Sequence, residues 1–163
     1  MISTFFIPLL GAIFFIGFFW FILSLLIKQV GRAFPLKYKT YRKTLPPALQ
    51  TYRRKTGVLS TVRHNGFRLK GMLKVEVFDD GLLVSTFGRA LWLPYTQHPF
   101  TVTSSLLFPR LSVEDIPVSP DSFWGPFEIF RHTTTLTVDL SAKACEEIMS
   151  LRERLIQNEK ENR

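Results

Sequence analysis

The first feature of the chain is an unbroken apolar run near its N-terminus. Thr4 to Ile27 comprises 24 consecutive residues without a charged side chain. As a helix this run would be about 36 Å long, which exceeds the roughly 30 Å thickness of a membrane's hydrocarbon core. We therefore predict a transmembrane anchor over residues 1–30.

A cleaved signal peptide is the alternative interpretation of this run. Such a peptide carries positive residues before a shorter apolar core and ends at a small-residue cleavage site. No Lys or Arg precedes Lys28, so an uncleaved anchor is favoured. Because the positive residues follow the helix, the positive-inside rule predicts a single-pass protein of a bacterial inner membrane, with the N-terminus outside and the C-terminal domain in the cytoplasm.

The apolar run is also rich in aromatic residues, which leaves two interpretations of its surface. It is either a lipid-facing anchor or a helix that packs flat aromatic faces against a partner membrane protein. The residues expected to make such helix contacts are Gly11, Phe14, Phe18, Trp20 and Phe21.

The pattern changes to that of β-strands from Gly57 onwards. Residues 72–78 alternate, with Leu73, Val75 and Val77 on one face and Lys74 and Glu76 on the other. An Asp79-Asp80-Gly81 turn then separates two apolar runs, which predicts a hairpin because glycine accepts the positive φ of tight turns. Further strands are expected over residues 105–113, 127–131 and 133–140, with a proline-containing segment at 91–100.

The chain ends in an amphipathic pattern. Ala144, Ile148, Leu151 and Leu155 recur at spacings of four and three, and Ser141 precedes them as a helix N-cap. Packing against the protein's own sheet is favoured over a coiled coil, for which the stripe is too short. The predicted fold class is a transmembrane helix followed by a mainly β, antiparallel sheet or barrel domain over residues 57–163, closed by a helix at about 141–158.

Charge is segregated along the chain. Residues 28–75 contain thirteen Lys and Arg and no acid, whereas residues 76–163 contain eight Lys and Arg against thirteen acids. Cations placed directly after a membrane span favour contact with anionic headgroups or a stop-transfer role over nucleic-acid binding. Within the basic connector, residues 31–56, and the turn before it, the predicted headgroup ligands are Lys28, Arg32, Lys37, Lys39, Arg42, Lys43, Arg53, Arg54 and Lys55.

Two proline-containing segments carry aromatic residues that belong either to the core or to a protein-docking surface. Aromatic side chains in stiffened loops are effective anchors for a partner because little conformational freedom is lost on binding. The residues are Trp92, Tyr95, Phe100, Phe123, Trp124 and Phe127.

The sequence offers little catalytic chemistry. His64, His98 and His132 lie far apart and have no metal-like spacing, and Cys145 is the only cysteine. No glycine-rich phosphate loop or nucleophile motif is present. We therefore expect a protein that is not an enzyme, with no catalytic residue, no metal and no cofactor.

The segment Phe67 to Ser85 and the later His98-Pro99, Leu106 to Pro109 and Glu114 to Ile116 motifs resemble small uncharacterised bacterial membrane-anchored proteins. The order of strands, Asp-Gly turn and terminal helix is similar to the pleckstrin-homology-like (PH-like) fold. The resemblance covers about residues 57–155 and implies a fold but no functional residues. Arg110 replaces the tryptophan usual in those proteins, and residues 100–105 look like an insertion.

Three functions are compared on this basis. The first is a membrane-anchored accessory or scaffold subunit whose PH-like domain binds a protein, with a membrane protein and membrane lipids as partners and no nucleic acid. The second is a lipid-sensing module that reads anionic headgroups through the basic segment, which salt would weaken. The third, an enzyme, would require the histidines to converge with acids.

Overall fold

A computed structural model describes residues 3–61, 64–103, 109–116 and 134–161. Within these ranges the helices are α1 (Ser3–Ala33), α2 (Tyr38–Arg42) and α3 (Ala142–Glu161). The strands are β1 (Leu36–Lys37), β2 (Gln50–Thr61), β3 (His64–Val77), β4 (Gly81–Thr86), β5 (Arg89–Pro94), β6 (Phe100–Thr103), β7 (Arg110–Ile116) and β8 (Thr134–Asp139).

The described strands form one eight-stranded antiparallel sheet in the order β1-β5-β4-β3-β2-β8-β7-β6. The hairpin predicted at Asp79-Asp80-Gly81 is confirmed, since Val77 pairs with Leu82 and the Phe78 amide donates to the Gly81 carbonyl at 2.9 Å. The predicted reason is wrong, because Gly81 does not have a positive φ; a Cβ there would instead lie 2.6 Å from the Leu93 carbonyl oxygen. The predicted segment at 91–100 contains the end of β5 and the first residue of β6. The strand predicted at 127–131 lies outside the described residues.

Strand β2 holds the two halves of the sheet together, since it pairs with β3 on one side and β8 on the other. Its register shifts near Tyr52 and Lys55, where Arg54 has a φ of 54°, and bulges of this kind bend a strand. At Gly57 the neighbouring strands approach closely. A Cβ there would lie 2.3 Å from Leu73 Cδ1 and 3.0 Å from the Thr137 carbonyl oxygen, so any larger residue would force the buried Leu73 side chain to shift.

The main core lies between the sheet and α3. The predicted inward face of β3, formed by Leu73, Val75 and Val77, is buried in it. The predicted stripe of α3 is also confirmed, because Ala144 and Ile148 are buried and Leu151 and Leu155 pack against the same cluster. Ser141 caps the helix, as its hydroxyl accepts a hydrogen bond from the Ala144 amide at 3.3 Å.

The opposite face of the sheet is covered by the segment between α1 and β2. Phe78, Leu83 and Ala90 form a second buried cluster, on which this segment places its apolar side chains. The predicted connector therefore contains folded elements, and the predicted domain boundary at residue 57 falls inside β2. The packed side chains are Leu36, Tyr38, Tyr41, Leu45 and Ala48, together with Trp92.

The N-terminal helix differs from the anchor that the sequence predicts. α1 does not stop where the uncharged run stops, because it includes positions 28 and 32 and ends at Ala33, which is packed in the core of the sheet domain. Among the residues that the structure describes, no helix combines the length and the apolar character needed to cross a membrane. The predicted transmembrane helix is therefore wrong, and so are the single-pass topology and inner-membrane localisation deduced from it.

Candidate interaction surface

The most exposed apolar part of the described chain is on α1. Nine large side chains between positions 13 and 22 are 39–75% exposed, and we call them the aromatic surface. The rings of Phe14 and Phe18 stack along the helix, with centroids 6.4 Å apart and planes 11° apart. The members are Ile13, Phe14, Phe15, Ile16, Phe18, Phe19, Trp20, Phe21 and Ile22. An apolar area of this size, which the described part of the sheet domain leaves uncovered, is typical of an interaction site.

The far end of the same helix is fixed to the sheet domain. Ala33 and the following Phe34 belong to the main core, and Phe34 is fully buried. Gly31 faces the Arg89 guanidinium, because a Cβ there would lie 3.7 Å from its Nη2 atom. The chain then pairs with β5 through Leu36 and Ala90. The helix is thus joined to the domain by packing and by strand pairing, not by a free linker.

A buried carboxylate fastens α2 to the outer face of the sheet. Glu76 lies on β3 and is only 3% exposed. Its Oε1 accepts from Arg42 Nε at 3.0 Å and pairs with Lys74 Nζ at 3.1 Å, while its Oε2 accepts from the Tyr38 hydroxyl at 2.9 Å. We call these four residues the Glu76 cluster.

Electrostatics hold this carboxylate in its ionised form. Burial alone would raise the pKa of Glu76, but the hydrogen bonds from Lys74, Tyr38 and Arg42 outweigh burial and lower the pKa below its ordinary value. The two cations also lie over aromatic rings, Lys74 at 4.8 Å from the Tyr38 centroid and Arg42 at 5.3 Å from the Phe78 centroid. A carboxylate that stays ionised cannot donate a proton, so we interpret the cluster as a structural contact that holds α2 on β3.

The nine predicted headgroup ligands are distributed over several elements. Lys28 and Arg32 lie on α1, and their side chains are outside the described part of the structure. Arg42 is engaged by Glu76, and Lys55 lies over the Tyr52 ring at 5.8 Å. The remaining side chains are exposed on β1, α2, the turn after α2, and β2, and they are Lys37, Lys39, Lys43, Arg53 and Arg54.

The predicted aromatic docking residues are divided between the core and the undescribed part of the chain. Tyr95 and Phe100 are buried in the main core, with their rings edge to face at 5.4 Å. Trp92 is half-buried and packs edge to face on Phe78 at 5.5 Å. Phe123, Trp124 and Phe127 lie outside the described residues. The predicted helix-contact residues, by contrast, all lie on α1, where Phe14, Phe18, Trp20 and Phe21 belong to the aromatic surface.

The groups considered for catalysis do not converge within the described ranges. His98 is half-buried, and burial lowers the pKa of its imidazole. Cys145 is buried on α3, where burial raises the pKa of its thiol. The side chain of His64 and all of His132 lie outside the described residues. No group of three metal-binding side chains occurs in residues 3–61, 64–103, 109–116 and 134–161.

A cleft of about 460 Å³ opens between α3 and the start of β2. Its floor is apolar, with Leu49, Val77 and Ile148 among the lining residues. The Tyr52 hydroxyl donates to Glu147 Oε2 at 3.3 Å, and burial raises the pKa of Tyr52. Two polar side chains of the cleft, Tyr52 and Glu147, thus bond with each other, and no group in it points to a particular ligand.

Sequence reasoning missed the Glu76 cluster and the attachment of α1. One signal pointed to the cluster: Glu76 is the first acid in the chain and follows thirteen Lys and Arg, so it was a natural ion-pair partner. The alternation of β3 placed Glu76 on the face opposite Leu73, Val75 and Val77 and did not show what covers that face. Comparison of the chain with family models, curated proteins and solved structures gives no match. The resemblance to PH-like proteins therefore stays a prediction.

Proposed function

We propose that this chain is a non-enzymatic protein-interaction subunit, of the accessory or scaffold kind, that docks through the aromatic surface of α1. The observation that carries the proposal is the contrast along one helix. Nine large apolar side chains are exposed at positions 13–22, while Ala33 at the end of the helix is buried in the domain core. A helix-in-groove or helix-on-helix contact uses such anchors at spacings of three and four.

The sheet domain holds the C-terminal end of this helix in place. The segment that follows α1 is fixed by three independent contacts: Phe34 in the core, β1 on β5, and the Glu76 cluster across α2. A helix attached in this way presents its surface in a defined direction, which lowers the entropy lost when a partner binds.

Polar chemistry supports an interaction role over catalysis. The most buried carboxylate in the described sheet, Glu76, has both oxygens engaged by neighbouring donors. Its lowered pKa keeps it ionised near neutral pH, so it supplies neither a free base nor an acid.

Site-specific photocrosslinking in cells tests the proposal. Phe18 is replaced by the photoreactive analogue p-benzoylphenylalanine, and Met72, which is 51% exposed on β3, receives the same analogue as the matched control. We expect a discrete crosslinked species from position 18 and none from position 72. Because the contact is apolar, raising the salt concentration in a cell lysate before irradiation should not reduce the yield. Equal yields at both positions, or no adduct at position 18, would refute the proposed function.

A further inference from the structure

The aromatic surface surrounds its helix instead of following one side. Successive residues of an α-helix are rotated by about 100°, so side chains spaced by three and four share a stripe. Three such stripes run along α1: Phe14, Phe18 and Phe21; Phe15, Phe19 and Ile22; and Ile13, Ile16 and Trp20. A single partner helix covers about one stripe. The occupant of this surface is therefore more than one helix.

We infer that the occupants are the α1 helices of further copies of this chain, which assemble into a bundle of three or more. This inference rests on the proposed function and specifies the partner. No charged residue occurs between Thr4 and Ile27, so copies of the helix do not repel one another there. The helix also has no charged side chain in this range that could form an ion pair specific to a different protein. Every copy carries the complementary apolar surface.

The area available is sufficient for a stable assembly. Phe and Trp side chains bury about 150–250 Å² each, and nine large side chains that are 39–75% exposed therefore leave on the order of 1,000 Å² to cover. A standard protein interface buries about 800 Å² on each partner. The sheet domain covers little of the helix between positions 11 and 22, so the surface is accessible to other copies.

The charge of the chain gives the assembly a distinctive salt response. All formal side-chain charges lie outside the uncharged run and sum to +8, so the domains of neighbouring copies repel one another. Salt screens this repulsion and leaves the apolar contact intact. Self-assembly should therefore become tighter as ionic strength rises, whereas binding to an acidic partner would weaken.

Cysteine crosslinking of the full-length chain tests the inference. Cys145, the only cysteine, is first replaced by alanine, and single cysteines are then introduced by Phe14→Cys, Phe15→Cys, Ile16→Cys, Phe18→Cys and Phe21→Cys. Met72→Cys and Phe87→Cys, at exposed positions of the sheet domain, are the matched controls. After mild oxidation in cells, we expect disulfide-linked pairs of about twice 18.9 kDa from at least two of the three stripes and none from the controls.

Two readouts separate the possible failures. Sedimentation equilibrium of the unmodified chain, which does not depend on the Cys145→Ala background, should give a mass of at least three chains that rises with salt. A monomeric or dimeric mass, or an absence of linked pairs from every α1 position, overturns the self-assembled bundle. If position 18 still photocrosslinks to a different protein, the proposed function survives that failure. If it yields no adduct at all, both fall.

Discussion

Replacing Glu76 with glutamine should destabilise the domain by about 2–3 kcal/mol, because it removes the negative charge shared by three donors and leaves one acceptor oxygen in place of two. A hydrogen bond to a charged group contributes about 1.5–3 kcal/mol, and breaking a fully buried ion pair costs about 3–5 kcal/mol. The cations here are 27% and 26% exposed, so water solvates them after the change and the cost stays below the upper figure. The amide of glutamine also presents a donor to a site that requires only acceptors.

Urea unfolding followed by circular dichroism at about pH 7 measures this cost as a difference in the free energy of unfolding. Glu114→Gln, at an exposed position of β7, is the matched control and should change stability by less than about 0.5 kcal/mol. If the two variants lose the same stability, then the Glu76 cluster does not fasten α2 to the sheet.

The pH dependence has a defined sign. The pKa of Glu76 is lowered on folding from its ordinary value of 4.5, so the carboxylate stabilises the fold above that value, and the contribution is lost as the pH falls through the lower, folded pKa. The difference between wild type and Glu76→Gln should be complete near pH 7 and should shrink below about pH 4. A difference that stays constant over this range would assign the effect to packing.

Two further substitutions test the core. Gly57→Ala should lower the free energy of unfolding by about 1–3 kcal/mol in the same assay, because the new methyl group would meet Leu73 and the Thr137 carbonyl. Ser60→Ala, on the same strand, is the control and should cost less. Equal costs for the two variants would contradict the close approach at Gly57. Tyr95→Phe should leave stability unchanged or raise it by up to about 1–3 kcal/mol, because the buried Tyr95 hydroxyl has no hydrogen-bond partner in the described residues. A clear loss of stability would contradict this and reveal a partner for that hydroxyl.

The sequence predicts those parts of the fold in which the spacing of apolar residues identifies a single buried face. The alternation over residues 72–78 located the core face of β3, the Asp-Gly pair located the hairpin, and the stripe on α3 identified its buried side. In each case a local pattern is decided by burial on a single face. These patterns agree with the structure because each apolar face packs against one neighbour, the main core.

Sequence reasoning was weaker where a second layer covers a polar face. The alternation of β3 assigned Lys74 and Glu76 to the face opposite the core, which is correct, but it could not show that α2 covers that face. The interleaved apolar and basic residues around Tyr38 and Tyr41 resembled a solvated connector. Their apolar members pack on Phe78 and Leu83, and which layer a segment joins depends on contacts distant in sequence.

The apolar run shows the same limit in another form. Composition identifies a strongly apolar helix, and the sequence alone predicts a membrane anchor. The structure instead continues this helix to Ala33, which lies in the domain core together with the following residue Phe34. Ala33 and Phe34 fix the end of the helix in that core, and a rotation of the helix that withdrew Phe34 would cost roughly 1.5–3 kcal/mol for one large apolar side chain. The orientation of the aromatic surface is thus coupled to the packing of the domain, so a change that loosens the Glu76 cluster should weaken the assembly without touching α1.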